Sequence, residues 1–557
     1  MIAPARCRIE MGKPYAVEMN ELARTYEHAS QTCTDDLVHF LGASHQLPLL
    51  VAGSGGSLTA AHFAALLHER RGSFAKAVTP MELRSAGHFV RDASVLMISA
   101  GGRNSDVLAG FEATALREPR HLLALTAQAE SPLSRLAASF RYTGYLGYEL
   151  PSGKDGFLAT NSLLAFMALL LRAHAKLAQE PGMVPAELPD AGQQRMAESA
   201  AASGILERDT LIVLHGGWGL PAAVDLESKL TEAALGQVQM ADYRNFAHGR
   251  HHWLDKRGAS TGVVALVTPG EQDIARRTLR LLPDGVPTLA LSAEDAGPAA
   301  ALDLVVQVFR LTQAFGEVRG IDPGRPGVPE FGRRIYGLKP ARPKPDAPRG
   351  LRADVAAAIR RKVTPLTLEA LEATEFQRWA GAHPEYLRTL RAAAFGAVVF
   401  DYDGTLCDAH EKRTGPCAAV GEHLVRLLEA GVAIGIATGR GKSVRRDLQR
   451  LVPEALWPQV LVGYYNGADV ATLSDDERPL TGPPEPALQG IAEWMAKHPT
   501  LGRIAAHEVR PRQITVEPRD PVAWAQAKLV LAEALRRDDA AGVRIVESSH
   551  SIDIIAP

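Results

Sequence analysis

Cysteine is scarce. The chain of 557 residues holds four, Cys7, Cys33, Cys407 and Cys417, and none are spaced as C-x-x-C. This excludes a disulfide framework and a zinc site of the finger or ribbon type, and it fits a reducing, cytoplasmic setting. An excess of charge is lacking too. The 61 basic side chains balance 63 acidic ones, which leaves no electrostatic footprint for nucleic acid or for an anionic membrane. No apolar run approaches the length of a bilayer crossing, and the longest, residues 163–171, reads as a buried helix. The opening MIAPARCRIEMGK lacks the apolar stretch of a secretory leader. What remains is a chain of about three or four domains, with a small molecule as the expected partner.

Strands alternate with helices. Spaced apolar positions at Val17, Leu22, Tyr26, Leu37 and Phe40 predict an amphipathic helix or helix pair over 14–42. The buried run LPLLVAG then enters GSGGS and a helix reaching about residue 70, the βα turn of a parallel sheet. Strands follow at 75–78, 95–99 and 121–126, then a helix at 157–177; a second series has strands at 211–214, 263–267 and 288–291 and a helix at 304–315. Glycine-bounded alternation of this kind predicts two doubly wound α/β subdomains.

The densest chemistry lies in residues 215–253. A strand runs into Gly216, Gly217 and Gly219, and a helix opened by Pro221 follows. Lys229 and Glu232 stand three residues apart, which predicts ammonium and carboxylate on one face. His248 follows in a polar loop. A carboxylate is the group to take a proton from carbon, and a histidine titrates near neutrality, as opening a sugar ring requires.

These residues, at this spacing, resemble the sugar isomerase (SIS) family, most closely the isomerase half of glucosamine-6-phosphate synthase. The resemblance implies that His248 opens the ring, that Glu232 shuttles a proton between C1 and C2, and that Lys229 belongs to the catalytic set. Two loops extend it. GSGGS offers Ser54 and Ser57 at a helix start, and SAGGRNSD offers Ser99, Arg103, Asn104 and Ser105. The second resembles the SIS phosphate loop S-x-S-G-x-[TN]-x-D, with Gly101 in place of a serine; Gly55 likewise replaces a hydroxyl in the first. Arg103 adds charge where the hydroxyls are lost. The family's Schiff-base lysine has no match near Pro329 and Glu330, with Arg333, Arg334 and Lys339 as the nearby cations. No glutaminase domain precedes the SIS helix, so aldose–ketose isomerisation is expected rather than amination.

The proline-rich ARPKPDAPRG reads as a linker, and 355–390 as a bridging helix. A new domain is expected at 397, where AVVFDYDGTL resembles the haloacid dehalogenase (HAD) superfamily. In that setting Asp401 attacks phosphorus, Asp403 protonates the leaving oxygen, both stand at a Mg²⁺ site, and Thr438 holds the phosphoryl group. Asn466 and Gly467 fit the sugar-phosphatase branch, with a cap over 475–550. The lysine and the aspartate pair that complete the HAD site do not follow SIDIIAP, which predicts a truncated domain completed by a second polypeptide.

The expected organisation is one SIS subdomain at 1–190 and another at 191–340, a linker at 341–395 and a HAD-like domain at 396–557. The expected assembly is a homodimer that takes a phosphorylated sugar derivative, with neither nucleic acid nor membrane as partner. Two alternatives stand: a sugar-binding regulatory module without turnover, and a HAD phosphatase completed by a partner chain.

Overall fold

Apolar runs with a period of two organise the first half of the chain. In this computed structural model, which describes residues 12–140, 142–190, 192–341, 351–363, 368, 371–407, 415–519, 521–534, 542–547 and 551–556, the chain divides into two compact units, Met1–Pro384 and Glu385–Pro557. The opening residues with Cys7 and nearly all of the ARPKPDAPRG segment lie outside the described residues.

In the first unit, β1 (Leu49–Ala52), β2 (Ala75–Val78), β3 (Ser94–Ser99), β4 (His121–Thr126) and β5 (Thr143–Gly147) form a parallel sheet in the order β2-β1-β3-β4-β5. Every residue of β1 and β3 is buried, because successive side chains enter different cores. Val51, Leu96 and Ile98 join one, whereas Leu50, Val95 and Met97 join the other. A second parallel sheet holds β6 (Thr210–His215), β7 (Gln237–Asp242), β8 (Thr261–Val267) and β9 (Thr288–Ser292) in the order β7-β6-β8-β9. Its Leu211, Val213 and Leu266 enter the same core as Val51. The helices Gly56–Arg70, Asn161–Ala178, Leu220–Glu232 and Ala299–Arg319 join that core, with Tyr15, Leu22 and Leu41 from the N-terminal helices and Met196 from Gln193–Ser203, so both sheets share one helical core. Each fully buried Leu or Phe there contributes about 1.5–3 kcal/mol.

The core also buries titratable groups. Glu18 accepts from Thr160 Oγ1 at 2.8 Å and from the amide of Gly156, and burial, reinforced by Asp155, pushes it up to about 7. His174 has both ring nitrogens buried without a hydrogen-bond partner, and burial holds it down at about 3. The folded state therefore resists protonating His174. Below pH 6.5 the unfolded chain takes up the extra proton, and stability falls as pH falls. At about 1.36 kcal/mol per pH unit, this group alone removes about 2 kcal/mol between pH 6.5 and 5. Urea unfolding of His174→Leu at the two pH values is expected to show a shallower pH dependence than the native chain by that amount; an unchanged slope contradicts the assignment.

In the second unit, β10 (Ala397–Asp401), β11 (Ala433–Ala437) and β12 (Val460–Tyr464) run parallel and β13 (Asp469–Thr472) antiparallel, in the order β10-β11-β12-β13. Ile434, Ile436 and Val462 pack with Leu424, Val444 and Leu448 of the helices Ala418–Glu429 and Lys442–Leu451. Val399, Leu461 and Val470 on the opposite face stay exposed. A separate antiparallel sheet, with β14 (Ala505–Val509), β15 (Gln513–Pro518), β16 (Arg544–Glu547) and β17 (Ile552–Ile555) in the order β14-β15-β17-β16, packs against the helices Pro486–Lys497 and Pro521–Ala534. The bridging stretch expected as one helix over 355–390 is instead two, Ala353–Arg360 and Ala373–Ala392, because Leu368 and Leu371 turn inward between them to pack on Ala356 and Ile359.

Candidate functional site

Strand order selects the crevice. In the first sheet β1 lies between β2 and β3, so the loops leaving β1 and β3 diverge to opposite sides at their carboxyl ends. Open α/β sheets bind ligands at such a switch point. The loops are residues 53–57 and 99–106, and each leads into a helix N-terminus, Gly56–Arg70 and Ser105–Ala115. Ser54 is exposed, whereas Ser57 and Ser99 are nearly buried. Ser99 Oγ accepts from the amide of Gly102 at 3.2 Å. Gly102 has φ +57°, and a Cβ there would lie 2.5 Å from Ser131 Oγ, so only glycine fits. Asn104 caps its helix, its Oδ1 accepting from the amides of Asp106 (2.8 Å) and Val107 (3.1 Å). Ser105 opens that helix. Arg103 is exposed, and among the described residues its guanidinium has no hydrogen-bond or ion-pair partner, so it is free to meet an anion.

Glu232 ends the helix Leu220–Glu232, which Pro221 opens as expected. Its exposed carboxylate comes to the first loop: a Cβ on Gly55 would lie 3.5 Å from Oε1. Ser228 Oγ donates to the same oxygen. The expectation that Lys229 shares this face is corrected. Lys229 is 2% exposed and turned into the core, where Nζ donates to Asp225 Oδ1 at 2.6 Å and to the carbonyl of Ala159 at 2.7 Å, and lies 4.6 Å from the centroid of the Phe309 ring. Burial pushes Asp225 up to about 6 against the pull of Lys229. The reason for the correction is helical spacing, since residues four apart stack directly and Asp225 offers the buried partner. Lys229 thus ties the helix to the segment before Asn161–Ala178. His248 lies in a kinked turn, Phe246–Arg250, and is exposed; its ring makes no hydrogen bond among the described residues.

The corresponding turn of the second sheet is blocked. A Cβ on Gly216 would meet the Glu271 side chain at 2.6 Å, and Thr268 Oγ1 holds that carboxylate from the end of β8. The chain's own carboxylate lies against that turn. Tyr336 went unnoticed in the sequence. Its hydroxyl accepts from Asn104 Nδ2 at 3.4 Å, which brings the helix Glu330–Tyr336 to the loop after β3. Lys339 and Arg334 are exposed, whereas Arg333 folds back onto the carbonyl of Val328 at 3.1 Å. No periodicity marks Tyr336, because its exposed helix buries none of its residues.

In the second unit, Asp401 ends β10 and accepts from Thr405 Oγ1 at 3.2 Å. Asp403 is gripped by Arg440, with Nε donating at 3.1 Å and Nη2 completing a forked pair. Thr438 is buried, and its Oγ1 accepts from the amide of Arg440 at 3.0 Å. Asn466 Nδ2 donates to Gln513 Oε1 (3.3 Å) and Asp553 Oδ2 (3.4 Å), which brings β15 and β17 to this loop. Among the described residues no group of three acidic, histidine or cysteine side chains converges. One carboxylate hydrogen-bonded by Thr405 and one bound in an arginine fork do not fit a magnesium ion, which requires near-octahedral oxygen coordination.

No protein-family model matches the chain, and no curated protein matches it. Among solved structures it is similar to the C-terminal domain of glucosamine-fructose-6-phosphate aminotransferase from Francisella tularensis, at 16% identity and a TM-score of 0.45, over 55% of this chain and 96% of that one. It is similar to tagatose-6-phosphate ketose/aldose isomerase from Escherichia coli at 19% identity and a TM-score of 0.44, over 59% and 98%. A third is glucosamine-6-phosphate deaminase from Thermotoga maritima, at 17% identity and a TM-score of 0.43, over 57% and 97%. These likenesses carry no residue roles. No helix among the described residues is long and apolar enough to cross a membrane.

Proposed function

We propose that the first unit is an aldose–ketose isomerase of the SIS type acting on a phosphorylated sugar. The observation that carries this reading is the exposed Glu232 carboxylate beside Gly55, at the switch point where two helix N-termini and the free Arg103 converge. The phosphoryl group sits on the amides and hydroxyls of residues 53–57 and 99–106, where helix N-termini favour negative charge. Glu232 takes the proton from C2 as the C1 carbonyl oxygen gains one, and returns it to C1 of the enediol as the C2 hydroxyl gives up its proton and becomes the ketone, so the proton gained at one oxygen is released at the other. His248 opens the ring in the resembled family and takes that role here. Lys229 acts from the core, fixing the helix that presents Glu232.

Arg103 gives the reading a test. Arg103→Ala is expected to weaken binding of a hexose 6-phosphate by about 1.5–3 kcal/mol, roughly 10- to 150-fold, and to leave the neutral hexose unchanged. Calorimetric titration of both sugars checks it; equal affinities before and after the change would place no phosphate at this loop. Binding without turnover is the second reading, favoured by Asn104, whose oxygen is spent on capping.

For the second unit we infer a HAD-type phosphatase site that is silent in this chain alone. Asp403, the acid of that chemistry, is neutralised by Arg440. Purified chain with millimolar magnesium is expected to hydrolyse neither a sugar phosphate nor an aryl phosphate. Turnover that disappears in Asp401→Asn would overturn this.

A further inference from the structure

Around His248 the second sheet carries a cationic feature whose arginines and tryptophan the isomerase reading does not use. Across the residue 244–257 segment, Arg244, Arg250, Lys256 and Arg257 face one acid, Asp255, in a chain whose net charge is −2. The segment folds beside the edge strand β7, where Gly249, at φ +104°, turns the chain from the kinked Phe246–Arg250 into the helix His252–Arg257. The turn leaves an open cleft of about 420 Å³ lined by Gln239, Arg250, His252, Trp253, Lys256 and Arg257. Ligand clefts for small molecules run from about 300 to 1,000 Å³.

The cleft is two-sided in its chemistry. Lys256 pairs with Asp255 at 2.5 Å, but among the described residues neither Arg250 nor Arg257 has an ion-pair partner. Two exposed guanidiniums of one sign beside an ammonium repel one another, and an anion between them relieves the repulsion. Beside them, the Trp253 indole is already oriented: Nε1 donates to Thr261 Oγ1 at 3.0 Å, and that hydroxyl donates to the carbonyl of Arg257 at 2.7 Å. Trp253 is 36% exposed, and its fixed ring needs no reordering to stack on a flat ligand. Gln239 offers an amide for the edge of such a ring.

We propose that this cleft binds a nucleoside phosphate, with the base against Trp253 and the phosphates between Arg250 and Arg257. A bare anion would leave the fixed indole without a role. A nucleic acid strand would require a basic track extending past the cleft, which an RNA competitor tests. The cleft shares no lining side chain with the Glu232 crevice, but His248, which the isomerase reading uses, stands two residues before Arg250 in the same turn, so the test reads nucleotide binding and not turnover.

The test is calorimetric titration of the full chain, without magnesium, with ATP, tripolyphosphate and adenosine as probes and a 20-nucleotide RNA as competitor. ATP is expected to bind at least 10-fold more tightly than either fragment. Arg250→Glu with Arg257→Glu, both at exposed positions, should weaken ATP at least 30-fold while leaving the melting temperature unchanged. Trp253→Leu should bring ATP down to the affinity of tripolyphosphate. The proposal is overturned by the absence of heat at millimolar ATP, by ATP affinity that survives the charge reversals, by tripolyphosphate binding as tightly as ATP, or by RNA outcompeting ATP at these residues.

Discussion

Lys229→Met is expected to lower the unfolding free energy of the first unit by about 3–5 kcal/mol, the cost of leaving one charge of a buried pair without its partner. Lys229 and Asp225 are 2% and 0% exposed, and the lysine also satisfies the carbonyl of Ala159. Removing the ammonium leaves Asp225 in a site that already disfavours its charge and takes away the group that lowers its pKa, so the carboxyl protonates more readily and part of the loss is recovered as pH falls. The paired replacement Asp225→Leu with Lys229→Met should restore most of the stability, because an apolar pair of similar volume has no charge to desolvate. Urea unfolding of the three variants at pH 8 and pH 5 reads this directly. If Lys229→Met unfolds with the native chain, Lys229 does not anchor the helix and the positioning role assigned to it is wrong.

The second large effect concerns chemistry. Glu232→Gln should reduce exchange of the C2 proton by at least about 10²–10⁴-fold, the range for loss of a general base. Ligand affinity should stay nearly constant, because the amide keeps the size and the hydrogen bond from Ser228 while losing only the capacity to accept a proton. His248→Asn should slow a cyclic substrate and spare its open-chain analogue. Equal slowing of both would remove the ring-opening role.

Most of the α/β framework was legible because buried parallel strands read as apolar runs. Residues 95–99 and 121–126 became β3 and β4 almost unaltered. β5 was missed, since Thr143–Gly147 contains Gly144 and Gly147 and its residues are only partly buried or exposed. The loops around the crevice were readable from glycine, serine and the arginine between them. The direction of Lys229 was not, because spacing along a helix names two neighbours and only packing chooses between Glu232 and Asp225. Glu271 was equally hidden. It fills the Gly216 turn from a separate loop 55 residues on (271 − 216), and no local pattern relates the two. The same holds for Tyr336 and Asn104, and for the grip of Arg440 on Asp403.

The most direct measurement is solvent deuterium entering C2. The full chain is incubated in deuterated buffer with a panel of hexose 6-phosphates, 2-amino-2-deoxyhexose 6-phosphates and their unphosphorylated counterparts, and the C2 proton is followed by NMR beside Glu232→Gln. The predicted result is exchange with at least one phosphorylated sugar, none with its neutral counterpart and none in Glu232→Gln. Exchange that persists in Glu232→Gln, or tight binding of a phosphosugar with no C2 exchange across the whole panel, contradicts the account.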